Sequence, residues 1–396
     1  ARYHDLGKAV TRTPKTLGPL ARQFAAHYYG GHDTYSGHAN VSAMYYHIAK
    51  GNDVNVDISD AILHHMNAHN SENIAVKREN VSPQTIELLE TFRKIDGESK
   101  VSNDEIRSAY EDLRALDSKV EKYKKEPTED ASLLVKLLAN EDIRVSLNAE
   151  DVNNPLFTFK YAHSGDFKDP LVRNARGLTL NRESEIVTIG FEKFFNYKQL
   201  EEYEQYDETF KETYSHILPN DKYTVWEKLD GTFIGLGVDG DQFIAATSSS
   251  TKTNFSKDAQ DYFESLPNAD DLKDYMKENN VSLFFEYTAP RNQIVIPYQK
   301  EEYTLIGARR NDINDTNIIR VDAQAFGLKS VKPQEMTLDE LIDYQRTNET
   351  TEGFVVENEF GKLIKFKTDY WFQQHQEMGS LFFGSEYTEA KLDTLI

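Results

Sequence analysis

The stretch that most constrains the fold runs from Tyr223 to Gly235 and reads Tyr-Thr-Val-Trp-Glu-Lys-Leu-Asp-Gly-Thr-Phe-Ile-Gly. A strand pattern leads into Lys228, a tight turn is expected at Asp230-Gly231, and a second strand follows. This pattern places one lysine amine at the end of a strand, at the edge of a sheet. Burial and neighbouring cations can lower the pKa of such an amine enough for nucleophilic attack. We therefore interpret Lys228 as a covalent nucleophile, although Lys-x-Asp-Gly also occurs in ordinary hairpins.

Composition limits the class of protein. The 396 residues are enough for two or three domains, and 39% hydrophobic residues with 22 Phe and 22 Tyr are typical of a folded protein. There is no cysteine, which excludes disulfides and thiolate metal sites. The formal net charge of −21 argues against a general polyanion-binding surface, so any nucleic-acid contact has to be local. Without a secretory signal or a run of about 20 apolar residues, we expect a cytoplasmic protein with no membrane contact, in the host cytoplasm if a phage encodes it.

Histidines near the start of the chain form a second pattern. An adjacent imidazole and carboxylate on one helix, joined by histidines of other helices, suit one or two divalent metals. This part of the sequence resembles the HD-superfamily phosphohydrolases, whose domain is all-α. The resemblance implies a metal site for Mn²⁺, Ni²⁺, Co²⁺ or Fe²⁺, with His65 as the alternative to the last of its ligands. The implied ligands are His4, Asp5, His38 and His64.

Two departures from that family affect the prediction. The family's first histidine lies upstream of the His-Asp doublet, and its final aspartate is either Asp57 or Asp60 here. We expect a helical domain over residues 1–140 that lacks its upstream part, and an upstream domain, such as a polynucleotide kinase, missing from this chain. If the histidines are surface or helix-cap residues instead, this domain has no metal site.

From Leu156 onward strand patterns predominate, interrupted by helical patterns at residues 256–266 and 269–278. Six short motifs occur in this region, in the order and at spacings comparable to those of one family. Together they resemble the covalent nucleotidyltransferases and, more narrowly, the phage RNA ligase 1 family of tRNA-repairing enzymes. The resemblance implies an α+β nucleotidyltransferase domain with ATP-grasp-like antiparallel sheets over residues 141–396. The motifs are Ala175-Arg-Gly177, Phe191-Glu-Lys-Phe-Phe-Asn196, Lys228-Leu-Asp-Gly231, Phe285-Glu-Tyr287, Glu352-Gly-Phe-Val355 and Lys365-Phe-Lys367.

The resemblance also implies roles for individual residues. Lys228 attacks the α-phosphate of ATP and becomes lysyl-AMP, and Asp230 in the turn that follows is a further expected catalytic residue. Lys365 and Lys367 alternate on one strand, so both face the phosphate. Glu352 holds Mg²⁺, and Glu286 contacts the ribose or supports the metal. Further expected nucleotide contacts are Arg176 and Lys193 at the ribose or outgoing phosphates, Phe159 and Phe195 at the nucleoside, and Lys252 as a weaker phosphate candidate. Tyr370 and Trp371 either cover the nucleotide or pack against the sheet.

These patterns predict an ATP-dependent RNA ligase that seals 5′-phosphate and 3′-OH ends of broken tRNA. Its HD domain is expected to remove a blocking 3′-phosphate or 2′,3′-cyclic phosphate. The alternatives are another nucleotidyltransferase, of the capping or DNA-joining kind, and a catalytically silent RNA-end-binding scaffold. Only 29 residues follow Lys367, whereas the family carries a helical domain there. We therefore expect either a different mode of RNA recognition or a chain that once continued further.

Overall fold

The computed structural model describes residues 12–13, 18–28, 34–35, 58 and 103–383. The chain divides into two compact units. The first comprises residues up to Pro127 together with Ala149–Asn153, and the second comprises Thr128–Asn148 and the chain from Asn154 onward. The second unit thus begins ahead of the domain start expected at residue 141.

In the first unit, helix α1 (Pro19–Tyr28) contacts helix α2 (Asn103–Lys125). Leu20 and Phe24 of α1 are buried, and the Asp117 carboxylate of α2 accepts hydrogen bonds from the N–H groups of Leu20 (3.2 Å) and Ala21 (3.0 Å). Those N–H groups lie in the first turn of α1, where no intrahelical acceptor exists, so Asp117 supplies the missing cap.

The first unit also contains one element that the all-α prediction did not include. Two-residue strands β1 (Arg12–Thr13) and β2 (Thr34–Tyr35) pair in antiparallel fashion. The expected metal ligands His4, Asp5, His38 and His64 lie outside the described residues, as do the alternatives His65, Asp57 and Asp60. Within the residues that are described, no three His, Asp or Glu side chains are grouped to hold a metal ion.

The second unit contains helices and antiparallel sheets, as the α+β prediction requires. Its helices are α3 (Leu133–Ala139), α4 (Pro170–Asn174), α5 (Glu208–Ser215), α6 (Asn254–Glu264), α7 (Ala269–Asn279), α8 (Leu338–Thr347) and α9 (Asp369–Phe383). Its strands are β3 (Ile143–Asn148), β4 (Leu156–Tyr161), β5 (Arg176–Leu180), β6 (Ile186–Thr188), β7 (Phe195–Asn196), β8 (Lys222–Lys228), β9 (Thr232–Asp239), β10 (Gln242–Ala246), β11 (Val281–Thr288), β12 (Glu302–Arg310), β13 (Lys329–Ser330), β14 (Pro333–Thr337), β15 (Gly353–Glu357) and β16 (Leu363–Lys367). Short 3₁₀ helices cover Gln199–Glu202, Pro290–Asn292 and Ala323–Phe326.

These strands form three sheets. The order is β3-β4-β5-β6 in the first, β10-β9-β11-β12-β13 in the second and β14-β8-β15-β16-β7 in the third. Neighbouring strands are antiparallel except for the pairs β12–β13 and β16–β7, which are parallel. Strand β8 and the next strand, β9, lie in different sheets. The turn after Lys228 is therefore a crossing from the third sheet to the second, which rules out the alternative of an ordinary hairpin.

The largest buried cluster lies under the second sheet. Helices α6 and α7 cover it with Ala259, Phe263, Leu272 and Met276, which pack against buried residues of β9 and β11. Both helices begin within two residues of their predicted positions. In the third sheet, Tyr223 and Val225 of β8 are buried and alternate with exposed neighbours, so one face of this strand packs against the core that includes α8.

No helix in the part of the chain that the structure describes has the length and apolar character needed to cross a membrane.

Candidate active site

The site forms around Lys228, the last residue of β8. Its neighbour in the sheet is Gly353, the first residue of β15, so Glu352 comes directly beside it. The Lys228 Nζ lies 2.6 Å from Glu352 Oε2. Gly353 makes this approach possible, because its φ is +138° and a Cβ there would lie 1.9 Å from the carbonyl oxygen of Phe366.

Glu352 is shared by two lysines. Its second oxygen, Oε1, lies 2.8 Å from Lys367 Nζ, and its side chain is only 3% exposed. Burial alone would raise the pKa of Glu352, but the Lys228 and Lys367 ammoniums outweigh burial and hold that pKa below its ordinary value. Burial lowers the pKa of Lys367, which Glu352 only partly offsets. Glu352 is therefore an ionised carboxylate between two cations.

Lys365 adds a further amine to the site. It lies two residues before Lys367 on β16, on the same face of the strand, and its Nζ lies 4.5 Å from the centre of the Phe194 ring. Burial lowers the pKa of Lys365 well below its ordinary value, and the nearby charges of Lys193, Arg176, Lys228 and Lys367 act in the same direction. The positive groups here exceed the carboxylates that face them, which is an arrangement suited to a bound polyanion.

Glu286 enters the site from the second sheet. It lies on β11, and its Oε1 accepts a hydrogen bond from the N–H of Gly231 at 3.1 Å. Burial raises the pKa of Glu286 to about 7. The positive charge of Lys228 acts to lower this pKa, and the negative charge of Glu352 acts to raise it. Near neutral pH this carboxyl group therefore exists as a mixture of its acid and its anion.

Asp230 is held by the protein on every side. Its Oδ2 accepts hydrogen bonds from the N–H groups of Val295 (2.7 Å) and Ile296 (2.8 Å), and its Oδ1 accepts one from the indole of Trp371 (2.9 Å). The Asp230 side chain is buried, and the backbone N–H of Asp230 donates to the Tyr298 hydroxyl at 3.0 Å. Both oxygens of Asp230 are thus held by protein donors, and its catalytic role stays a prediction.

A cavity of about 440 Å³ joins these groups. Its charged lining includes Arg176, Lys228, Lys365 and Lys367, together with the two carboxylates Glu286 and Glu352. Its apolar lining comes from both sheets and from the segment before β7, and includes Phe191, Phe194, Phe233, Ile306, Val355 and Leu363. Two of the cations lie against this apolar lining, since Lys365 Nζ is 4.5 Å from the centre of the Phe194 ring and the Arg176 guanidinium is 5.8 Å from that of Phe233. A cavity that combines cations with aromatic rings can accommodate a molecule that carries both phosphates and a flat ring.

Four residues expected in the site lie elsewhere. Phe159 and Phe195 are fully buried in the core, and neither lines the cavity, so the structure does not bring them together with Lys228. Lys193 does not line the cavity either; its Nζ lies 5.3 Å from the centre of the Phe195 ring, and its charge contributes to the lowered pKa of Lys365. Lys252 is exposed on the loop before α6 and outside the cavity lining.

The structure also brings in residues that sequence reasoning missed. Phe194, next to the expected Phe195, faces the cavity, as neighbours in an extended segment point to opposite sides. Trp226 and Arg320 line the same cavity, and the Arg320 guanidinium lies 3.7 Å from the centre of the Trp226 ring. The sequence pattern could have predicted Trp226, because it lies two residues before Lys228 and therefore on the same face of β8. His375 of α9 also lines the cavity and gave no sequence signal.

Comparisons with known proteins agree with this geometry. A family model described as RNA ligase matches residues 174–378, just over half of the chain. A protein of Thermovibrio ammonificans named “Putative RNA ligase” is 26% identical over 230 residues, which cover 55% of this chain and 57% of that protein. The chain thus spans a little over half of the length of this curated relative.

Two solved structures are also similar. One, “Putative ATP-dependent DNA ligase from Aquifex aeolicus”, has 17% identity and a TM-score of 0.43, over 66% of this chain and 69% of the other. An archaeal ATP-dependent RNA ligase has 16% identity and a TM-score of 0.38, over 63% and 65% of the two chains. Both TM-scores are below 0.5, so the assignment rests on the family match, which includes Lys228, Glu286, Glu352, Lys365 and Lys367. The chain belongs to the RNA ligase family.

Proposed function

We propose that this chain is an ATP-dependent RNA ligase that works through AMP bound covalently to Lys228. The observation that carries the proposal is the amine of Lys228, held 2.6 Å from Glu352 in a cavity that also contains Arg176, Lys365 and Lys367. The protein as a whole has a net charge of −21, so this local excess of cations is a specific feature. It fits a triphosphate better than any neutral ligand.

The chemistry follows from the positions of these groups. The Lys228 amine, after losing a proton to water, attacks the α-phosphorus of ATP; an N–P bond forms and the P–O bond to the β-phosphate breaks, releasing pyrophosphate. Lys365 and Lys367 face the phosphate, where negative charge accumulates, and stabilise it. Glu352 orients the amine before the attack, since it accepts a hydrogen bond from it.

Glu286 and Glu352 fit a divalent cation such as Mg²⁺. This ion binds proteins through one or two carboxylates and completes its ligands with phosphate oxygens and water. Because burial raises the pKa of Glu286, binding of a cation would release the proton of its acid form. When bound, the ion would offset the charge of the phosphates.

The apolar lining of the cavity provides the place for the nucleobase. The centre of the Phe191 ring lies 5.8 Å from that of Phe194 and 6.3 Å from that of Phe233, so these rings pack against one another, and Val355 extends the surface from the third sheet. A purine can pack on this apolar surface while its phosphates reach the lysines. Transfer of AMP to an RNA 5′-phosphate, followed by attack of a 3′-OH, would then complete joining.

Covalent labelling tests the proposal and separates it from the alternatives. Wild-type protein incubated with Mg²⁺ and ATP labelled at the α-phosphate should become labelled, and Lys228→Ala should not. The matched control is Lys222→Ala, which removes an exposed lysine from the other end of the same strand and should label normally. Stronger labelling from GTP than from ATP would favour a capping enzyme. Joining of nicked DNA without joining of RNA would favour a DNA ligase. No label on folded wild-type protein would contradict the proposal and favour a silent scaffold.

We propose in addition that the N-terminal segment is an HD-type phosphohydrolase that removes 3′-phosphate or 2′,3′-cyclic phosphate during tRNA repair. The support is the sequence pattern of His4, Asp5, His38 and His64. Release of phosphate from a 3′-phosphorylated RNA, assayed with Mn²⁺, Ni²⁺, Co²⁺ or Fe²⁺, is the test. Asp5→Ala should abolish this release and leave labelling of Lys228 intact; an unchanged rate of release would contradict the proposal.

A further inference from the structure

Trp371 lies where helix α9 meets the candidate site. It is the third residue of α9, and its backbone N–H donates to the Thr368 hydroxyl that precedes the helix, at 3.2 Å. The side chain is 6% exposed and packs with Val295 and Ile296 of the segment after β11. The indole also makes two polar interactions with residues of the site, one with Asp230 and one with Lys367.

The first interaction uses the edge of the indole. Trp371 Nε1 donates to Asp230 Oδ1 at 2.9 Å, and both groups are buried. Asp230 lies between Lys228 and Gly231, whose N–H in turn holds Glu286. A hydrogen bond from a neutral donor to a buried carboxylate is among the stronger ones in proteins, so the indole fixes the turn that follows the nucleophile.

The second interaction uses the face of the indole. The Lys367 Nζ lies 3.4 Å from the centre of the Trp371 ring and 2.8 Å from Glu352 Oε1. An ammonium over a buried indole is stabilised by the negative face of the ring. Because Glu352 also contacts Lys228, the indole is linked to the nucleophile both through Lys367 and Glu352 and through Asp230.

We propose that Trp371 is a positioning residue for the transfer of AMP to Lys228. It aligns the turn after Lys228 through its N–H and the ammonium of Lys367 through its ring. The inference rests on the proposed function, since the reaction it serves is adenylylation of Lys228. The indole also lines the cavity, so its contacts with Asp230 and Lys367 add a positioning role to either of the two roles open to this residue from sequence.

Three variants separate positioning from packing. Trp371→Phe keeps an aromatic face and loses the indole N–H, whereas Trp371→Leu loses both. Tyr370→Leu is the control for packing, because Tyr370 packs against the apolar cluster that Trp371 forms with Val295 and Ile296 and is not a partner of Asp230 or Lys367. The rate of covalent AMP labelling is measured at saturating ATP, and the ATP concentration for half-maximal rate is measured separately.

We expect Trp371→Phe to lower the maximal rate about 10- to 100-fold with little change in the half-maximal ATP concentration, as loss of one hydrogen bond to a charged group implies. Trp371→Leu should lose more, and Tyr370→Leu should remain close to wild type. A wild-type maximal rate in Trp371→Phe, or an equal loss in Tyr370→Leu, would overturn the inference. If wild-type protein itself takes no label, the proposed function fails and the inference falls with it.

A second measurement covers the case in which Trp371→Phe does not fold. The chain has only two tryptophans, so its NMR spectrum contains two indole N–H signals, which a Trp226→Phe variant assigns. In wild-type protein the Trp371 signal should exchange slowly with solvent and should shift when Lys228 becomes adenylylated. A rapidly exchanging signal, or one that stays unchanged on adenylylation, would overturn the inference.

Discussion

Replacing Glu352 by glutamine should destabilise the protein as well as inactivate it. The carboxylate is 3% exposed and joins Lys228 at 2.6 Å to Lys367 at 2.8 Å. An amide of the same shape keeps one oxygen acceptor, but it carries no charge and turns an NH₂ group toward one of the ammoniums. Two partly buried cations then face each other across a neutral group.

The structure sets the size of the effect. A hydrogen bond to a charged group contributes about 1.5–3 kcal/mol, and Glu352 makes two of them. The side chains of Lys228 and Lys367 are 21% and 15% exposed, so water in the cavity can restore part of their solvation. Two such hydrogen bonds together contribute about 3–6 kcal/mol. Because water can replace part of this, we expect Glu352→Gln to lower the free energy of unfolding by about 3 kcal/mol, the lower end of the combined range.

Urea unfolding at pH 7 measures this difference. Glu357→Gln is the matched control. Glu357, on strand β15, forms an ion pair with Arg320 that is more exposed than the pairs of Glu352. Its substitution should therefore lower the free energy of unfolding by about 1 kcal/mol or less. The pH dependence is a second check. A lowered carboxylate pKa stabilises the fold above the unfolded value of 4.5, so the difference between wild type and Glu352→Gln should shrink as pH falls below about 4.5. A loss in Glu352→Gln no larger than in Glu357→Gln would refute the reasoning.

Three further predictions concern stability. Because the pKa of Glu286 is raised to about 7, the wild-type free energy of unfolding should fall by about 2.5 kcal/mol between pH 5 and 8 relative to Glu286→Gln, and parallel curves in urea unfolding would contradict this. Gly353→Ala, with a Cβ 1.9 Å from the Phe366 carbonyl oxygen, should cost at least about 3 kcal/mol. Gly361→Ala, with φ +69° and open space around it, should cost about 1 kcal/mol; thermal melting compares the two, and equal losses would contradict the prediction. Arg309→Met leaves buried carbonyl acceptors, among them Gly190 O at 3.1 Å, without their donor and should cost about 3–5 kcal/mol in urea unfolding, whereas a loss below about 1 kcal/mol would contradict it.

The sequence predicted those features that depend on order along the chain. The alternation in β8 marks its buried face, and the spacing of Lys365 and Lys367 places both on one side of β16. The family motifs supplied Glu352 and Glu286, which the structure brings together with Lys228 in one cavity.

Features that depend on register or on distant partners were not predictable. Between Phe194 and Phe195 the sequence offers no basis for choice, because an extended segment sends one to the cavity and the other to the core. The role of Asp230 depends on donors that are 65, 66 and 141 positions away, which no local pattern indicates. For Trp371 the sequence left two roles open, covering the nucleotide or packing against the sheet, and its contact with Asp230 exists only in three dimensions.

The crossing between β8 and β9 has a consequence for how the protein acquires activity. Lys228 and Glu352 are 124 positions apart, and Lys228 is the last residue before the chain leaves one sheet for another. Closing so long a loop is entropically unfavourable until both sheets exist, so this contact should form late in refolding. Covalent AMP would then serve as a reporter of completed folding: after dilution from urea, far-ultraviolet circular dichroism should recover before Lys228 takes up label.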